Sequence, residues 1–196
     1  MTDLYLASQS PRRRDLLKQI GVRYHVLDVE VAEVRNGLER AMDYVSRLAC
    51  AKSQAGYDAL LTLGLEQKPV LGADTVVVLD GEVLEKPLSE EEGVAMLKAL
   101  SGRAHEVLTA LAVTAAGRQE LRVSVSEVRF RRLLNDEISR YWQTGEPHDK
   151  AGGYGIQGLG AVFVEQISGS YSGVVGLPLA ETQSLLNEFE VPYWQR

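Results

Sequence analysis

The chain has 196 residues, 45% of them hydrophobic and 24% charged, with a formal net charge of −6. That length suits one α/β domain, or two lobes sharing a core, and the negative balance argues against a general nucleic-acid binder, which needs a basic surface. No apolar run reaches the roughly 20 residues of a membrane span, the single cysteine, Cys50, excludes an intrachain disulfide and fits a reducing cytoplasm, and one Cys with three scattered histidines makes a zinc site unexpected.

Residues 1–7 lack the basic flank and long apolar core of a signal peptide, and Leu4 to Ala7 reads as a first strand. Ser8-Gln9-Ser10-Pro11-Arg12-Arg13-Arg14 follows at once. Ser10 has the character of an N-cap and Pro11 of a first helical residue, so a helix is expected through Asp15 to Ile20, stopping at Gly21. Free backbone N–H groups at such a start favour anions. Arg13 lies three, four and seven residues before Leu16, Leu17 and Ile20 and shares their buried face, whereas Arg14 falls toward solvent. A loop delivering Ser8, Ser10, Arg12 and Arg13 to a helix start has the make-up of a phosphate site. The alternative is a surface basic cluster that offsets acidic neighbours.

Tyr24 to Glu33 reads as a second strand, with Leu27, Val29 and Val31 on one face and Glu33 continuing it. Glu33 is either a strand end facing water or a functional carboxylate. Ala41 to Gly56 reads as a helix whose apolar face carries Ala41, Tyr44, Val45, Leu48, Ala49 and Ala55. Lys52 falls near the centre of that face, where a lysine must snorkel, find a carboxylate or meet a bound anion. Tyr57 to Lys68 has no clear period and reads as a loop with room for a turn of helix.

From Leu71 to Pro87 a β-branched apolar run is broken by Asp80-Gly81, a strong hairpin signal. Asp74 interrupts that run after Gly72 and Ala73, small residues that let a ligand approach the backbone. An ionised Asp there is costly unless paired, metal-bound or solvated. It is either a structural acid satisfying backbone donors or an active-site carboxylate. A strict two-residue turn pairs Thr75 with Lys86 and turns Asp74 and Lys86 to opposite faces. For both to serve one site, the pairing must end by Asp74, a bulge must reset it, or the loop must hold three residues.

Ser89 and Glu92 are spaced as a capping box for a helix to Leu100, whose acidic first turn suits the helix dipole. His105 to Ala115 and Glu120 to Phe130 read as an antiparallel hairpin joined at Gly117. Asn135 is expected to cap a short helix through Trp142. Asp149 to Gly160 holds five glycines in twelve residues, with Asp149, Lys150, Tyr154 and Gln157 between them. It matches neither a Walker A loop nor a dinucleotide fingerprint and has the make-up of a ligand loop. Ala161 to Gln166 and Ser170 to Val175 read as strands, and Gly176-Leu177-Pro178 turns into a last amphipathic helix ending near Phe189.

Five motifs stand in register: Ser8-x-Ser10-Pro11-Arg12-Arg13, Gly72-Ala73-Asp74-Thr75, Gly81-Glu82-x-Leu84-x-Lys86-Pro87, Leu100-Ser101-Gly102-x-x-His105, and Asp149-Lys150-Ala151-Gly152-x-Tyr154-Gly155-Ile156-Gln157-Gly158. With them the chain resembles the Maf family over essentially its whole length. The resemblance implies residues 1–196 as a single α/β domain: a mixed, strongly twisted sheet flanked by helices, two lobes around a central cleft, similar to inosine triphosphatases. It implies a cytoplasmic, homodimeric nucleoside-triphosphate pyrophosphatase that cleaves between the α- and β-phosphates with Mg²⁺ or Mn²⁺. Such enzymes clean nucleotide pools and are linked to inhibition of septum formation. The resemblance makes Asp74 the proton acceptor and places a metal at Glu33 and Asp74. Arg13, Lys52 and Lys86 would neutralise the triphosphate, and Ser8 would bind its oxygens. Arg12, Thr75 and Gln157 fit the branch acting on dTTP and UTP, not the branch acting on 7-methyl-GTP. Gln157 can offer a donor and an acceptor to a pyrimidine edge. Two departures are Gly153, where this branch usually has Ala, and Ala32, where a second acid often precedes Glu33. A nucleotidyltransferase and a non-catalytic nucleotide-binding regulator of cell division are the competing readings, and a pure binder has no need of Asp74 beside Glu33.

Overall fold

In the computed structural model, which describes residues 2–195, the first apolar run forms β1 (Leu4–Ala7), buried along its length. It lies parallel to β2 (Tyr24–Val26) on one side and to β3 (Val70–Leu79) on the other. β3 is antiparallel to β4 (Glu82–Leu84) and to β5 (Ala104–Ala115). β6 (Arg118–Phe130) and β7 (Val164–Ser168) continue the sheet antiparallel. The result is a seven-stranded mixed sheet in the order β2-β1-β3-β5-β6-β7, with β4 beside β3. Six helices accompany it among the described residues: α1 (Pro11–Gln19), α2 (Ala41–Thr62), α3 (Glu90–Leu100), α4 (Asn135–Gln143), α5 (Tyr171–Val175) and α6 (Leu179–Glu188). The α/β class with a mixed, helix-flanked sheet is as expected.

Strand alternation on β3 distributes the core. Leu71 and Ala73 pack with Leu17, Leu185 and Leu186, and farther along the same face Val77 and Leu79 pack with Leu97, Phe130 and Ile138. On the opposite face Val76 and Val78 pack with Tyr44, Val45, Leu48 and Ala49 of α2. Each series is broken by one polar residue, Thr75 on the first face and Asp74 on the second.

The hairpin after β3 is regular at its tip. Asp80 (φ 54°) and Gly81 (φ 84°) make a two-residue turn with both residues at positive φ, and Leu79 lies opposite Glu82. Pairing ends at Val77 opposite Leu84, so Lys86 lies beyond the strand. Of the three departures open to the sequence, the structure takes the first. β1 covers the same edge of β3 only as far as Ala7 opposite Gly72. Between these two neighbours, residues 73–76 face a gap in the sheet on that edge, while β5 pairs continuously along the other from Val70 to Val78.

Several elements depart from expectation. β2 ends at Val26, not Glu33, because its partner β1 ends one residue after the last pair, Leu6 opposite Val26. Leu27 is buried and Val29 and Val31 half-buried, so the inward alternation persists without a sheet partner. α2 runs past Gly56 to Thr62. Gly56 marks close packing: a Cβ there would lie 2.7 Å from Val70 Cγ1 and 2.9 Å from Ala7 Cβ. Asn135 is the first residue of α4 and not its cap, and Glu137 Oε1 accepts the Leu134 N–H at 2.7 Å instead. Residues 159–163 form a 3-10 turn before β7 starts at Val164. Ser170 to Val175 is not a strand: the Ser170 hydroxyl accepts the Gly173 N–H and starts α5. A short apolar run of this kind has no period that separates helix from strand.

Candidate active site

The gap beside β3 opens on a cleft of about 700 Å³. Asp74 and Thr75 point to opposite faces of β3, as adjacent strand residues must. Both nonetheless line the cleft, because no strand covers the edge between them.

On one face, α2 sets the geometry. A Cβ at Gly72 would run into the Ser53 backbone nitrogen and lie 2.6 Å from the Ala49 carbonyl oxygen. It is the helix, not a ligand, that the small residue admits. With α2 this close, Lys52 reaches over Asp74: its Nζ donates to Asp74 Oδ1 at 2.7 Å and to Glu33 Oε1 at 2.5 Å. The Lys52 and Asp74 side chains are 14% and 11% exposed, so the lysine on the apolar stripe has found carboxylates. Lys86 Nζ stands 3.6 Å from Glu33 Oε2 and remains largely open to solvent. Burial pushes the Glu33 carboxyl up, but the Lys52 hydrogen bond, with Lys86 beyond it, outweighs this and holds the group below its ordinary range. The Glu33 backbone carbonyl accepts the Tyr44 hydroxyl at 3.1 Å, and burial raises that hydroxyl to about 12.

On the other face, Arg13 is the centre. It donates from Nη1 to Ser8 Oγ at 3.1 Å, from Nη2 to Thr75 Oγ1 at 3.1 Å, and from Nε to the Gly176 carbonyl at 2.8 Å. Burial pulls its guanidinium down, opposed by Asp74 and Glu33, and a guanidinium stays charged in any case. Thr75 Oγ1 lies 2.9 Å from Thr109 Oγ1, and Thr109 donates to the Gly173 carbonyl at 2.8 Å. Arg13 can only donate and a carbonyl can only accept, so the chain has one direction. Thr109 gives its proton to Gly173, Thr75 gives its own to Thr109, and Thr75 meets a ligand as an acceptor.

Arg12, from the start of α1, and Gln157, from the glycine loop, line the same cleft. All nine residues singled out from the sequence (Ser8, Arg12, Arg13, Glu33, Lys52, Asp74, Thr75, Lys86 and Gln157) border this space. Four residues that line this cleft or hold its lining in place are not marked by the sequence. Tyr44 reads from the sequence only as part of an apolar face, although a buried tyrosine hydroxyl needs a partner. Thr109 is fully buried inside an apolar strand. Tyr141 and Glu146 precede the glycine loop, and nothing in their own spacing marks them. Behind the loop His105 Nε2 lies 2.8 Å from the Tyr154 hydroxyl, and burial lowers the imidazole to about 4.

No group of three or more His, Cys, Asp or Glu residues suited to a metal ion occurs among the described residues. The two carboxylates that share the Lys52 ammonium still offer hard oxygen donors to a divalent cation. That pair suits an ion whose remaining ligands are phosphate oxygens and water, as is usual for Mg²⁺.

The profile described as "Maf-like protein" matches residues 3–189. A dTTP/UTP pyrophosphatase of Saccharophagus degradans is 58% identical over 98% of this chain and 91% of its own. One of Alkalilimnicola ehrlichii is 55% identical over 97% of this chain and 94% of its own. Among solved structures, the Staphylococcus aureus Ham1 protein superposes with a TM-score of 0.49 at 18% identity, covering 82% of this chain and 79% of that one. On the span of the profile and the identity to these full-length relatives, the chain belongs to the Maf family.

Proposed function

We propose that this chain hydrolyses the α–β phosphate bond of dTTP and UTP, releasing the nucleoside monophosphate and pyrophosphate. The observation that carries the reading is Asp74, held by Lys52 at an uncovered strand edge, in a cleft that also collects Arg12, Arg13 and Lys86. The nucleotide class follows the names of the relatives, and the family resemblance assigns Arg12, Thr75 and Gln157 to the same branch.

Asp74 accepts the proton of a water as its oxygen bonds to phosphorus and the bridging P–O bond breaks. Lys52, bonded to Asp74 Oδ1 at 2.7 Å, holds that carboxylate in position. Arg13, Lys52 and Lys86 neutralise the phosphates, with Ser8 and the α1 start on their oxygens. Thr75, its proton committed to Thr109, accepts from a ligand N–H or O–H. Glu33 and Asp74 would hold Mg²⁺ or Mn²⁺ together with the phosphates, and the ion would supply further charge neutralisation. In this reading the whole chain acts as one domain, as a homodimer in the cytoplasm, with a role in clearing nucleotides from the pool.

The test is pyrophosphate release from a panel of nucleoside triphosphates with Mg²⁺ or Mn²⁺, and with a chelator. Pyrophosphate from dTTP and UTP without an added acceptor supports the reading. Orthophosphate as the first product, or release only with an acceptor, rejects it in favour of another phosphohydrolase or a nucleotidyltransferase.

A further inference from the structure

Gln157 lies in a turn with no strand or long helix to stiffen it, and a base-reading side chain on a loose loop gives little selectivity. One carboxylate supplies the stiffness. Glu146 Oε2 accepts the Leu159 N–H at 2.8 Å; Oε1 accepts the Gly160 N–H at 3.0 Å and the Tyr141 hydroxyl at 2.7 Å. The Tyr141 oxygen accepts the Gly155 N–H at 3.0 Å. The backbone is thus held before Gln157, at residue 155, and after it, at residues 159 and 160. Lys150 Nζ fixes the anchor itself by donating to the Glu146 carbonyl at 2.6 Å.

The loop's composition follows from this anchor. A Cβ at Gly158 would run into the Glu146 carboxylate, and one at Gly155 would lie 3.0 Å from Oε1 and 2.8 Å from Lys150 Cε. The glycines on either side of Gln157 let the backbone close over the carboxylate.

We propose that Glu146, with Tyr141, is the positioning element of the base-binding loop: it fixes the backbone that carries Gln157 and touches no substrate itself. The proposal rests on the reading that Gln157 meets the base. It also makes a claim about the free enzyme that stands apart from that reading.

Glu146→Gln separates the two. An amide has one accepting oxygen. Wherever it points, the NH₂ faces a loop N–H, so at least one of the Leu159 and Gly160 amides loses its acceptor. Amide hydrogen exchange on the nucleotide-free protein is expected to speed at residues 155–160 by about tenfold or more, the scale of one orphaned amide, with β5 and β6 unchanged. Tyr141→Phe should speed exchange at Gly155 and provides the same test if Glu146→Gln folds poorly. In turnover, KM for UTP should rise about tenfold while inhibition by pyrophosphate, which carries no base, stays as in the parent. Unchanged exchange in both variants overturns the proposal whether or not any nucleotide is hydrolysed. Loop exchange that speeds while KM for UTP stays put, or a KM that moves together with pyrophosphate inhibition, overturns the positioning role. Pyrophosphate release absent from the parent enzyme would instead overturn the proposed function and leave the exchange result to decide the anchor.

Discussion

At the scale of the residue, the site is two sets of charges meeting at one dipeptide. Asp74 belongs to the Glu33–Lys52 set and Thr75 to the Arg13–Ser8 set. Lys52→Ala leaves two carboxylates facing each other without their shared ammonium. KM for the triphosphate should rise roughly tenfold or more, the value of a charge-assisted hydrogen bond to phosphate. Unchanged kinetics with lowered stability would make Lys52 a core residue only. His105 gives a pH prediction. Its folded pKa, about 4, is depressed below the ordinary 6.5, so the folded state binds fewer protons than the unfolded. Stability is then full above about pH 6.5 and falls as pH drops toward 4, by on the order of 3 kcal/mol. Denaturant melts of His105→Gln across that range should show a shallower slope, and an unchanged slope would assign the acid sensitivity elsewhere. These residues were legible in unequal measure. Lys52, Arg13 and Asp74 announced themselves as charges on apolar faces. Thr109 and Glu146 did not, because a threonine in a strand and a glutamate before a turn are ordinary until their partners, 34 and 14 residues away, are known.

At the scale of the element, the decisive features are where two strands stop. β1 stops at Ala7 and β4 starts pairing at Val77, and the edge left between them is where chemistry has access. The sequence showed the turn at Asp80-Gly81 and the register conflict at Lys86, and so required a departure without saying which. Just past β4 the Glu85 carbonyl accepts the Gly152 N–H at 3.2 Å, a distant contact that no local pattern carries. β2 ends at Val26 although the apolar alternation runs on to Val31, since a strand ends where its partner does. Gly72 is the element-scale test. A methyl group there must push α2 off β3 against the Ser53 and Ala49 backbone. Gly72→Ala should cost about 1–3 kcal/mol, the usual penalty of overpacking, and should raise KM for the triphosphate by displacing Lys52. Full activity at wild-type stability would show that the helix has room to move.

At the scale of the molecule, one mixed sheet carries both halves of the site, and no rearrangement is needed to bring Asp74, Lys52 and Glu33 together. Lys52 already satisfies the two carboxylates. Chelation should therefore abolish turnover while leaving the melting temperature unchanged; a melting temperature that falls on chelation would make the cation structural. The central claim is that Asp74, held at the open edge of β3, is the proton acceptor in pyrophosphate release. The most direct measurement is ³¹P NMR of dTTP and UTP turnover by the parent enzyme and by Asp74→Asn, which keeps an acceptor for Lys52 but cannot take a proton. The expected result is nucleoside monophosphate and pyrophosphate from the parent, and a kcat lower by about 100-fold or more in a folded, nucleotide-binding variant. Near-parental kcat in Asp74→Asn would contradict the account.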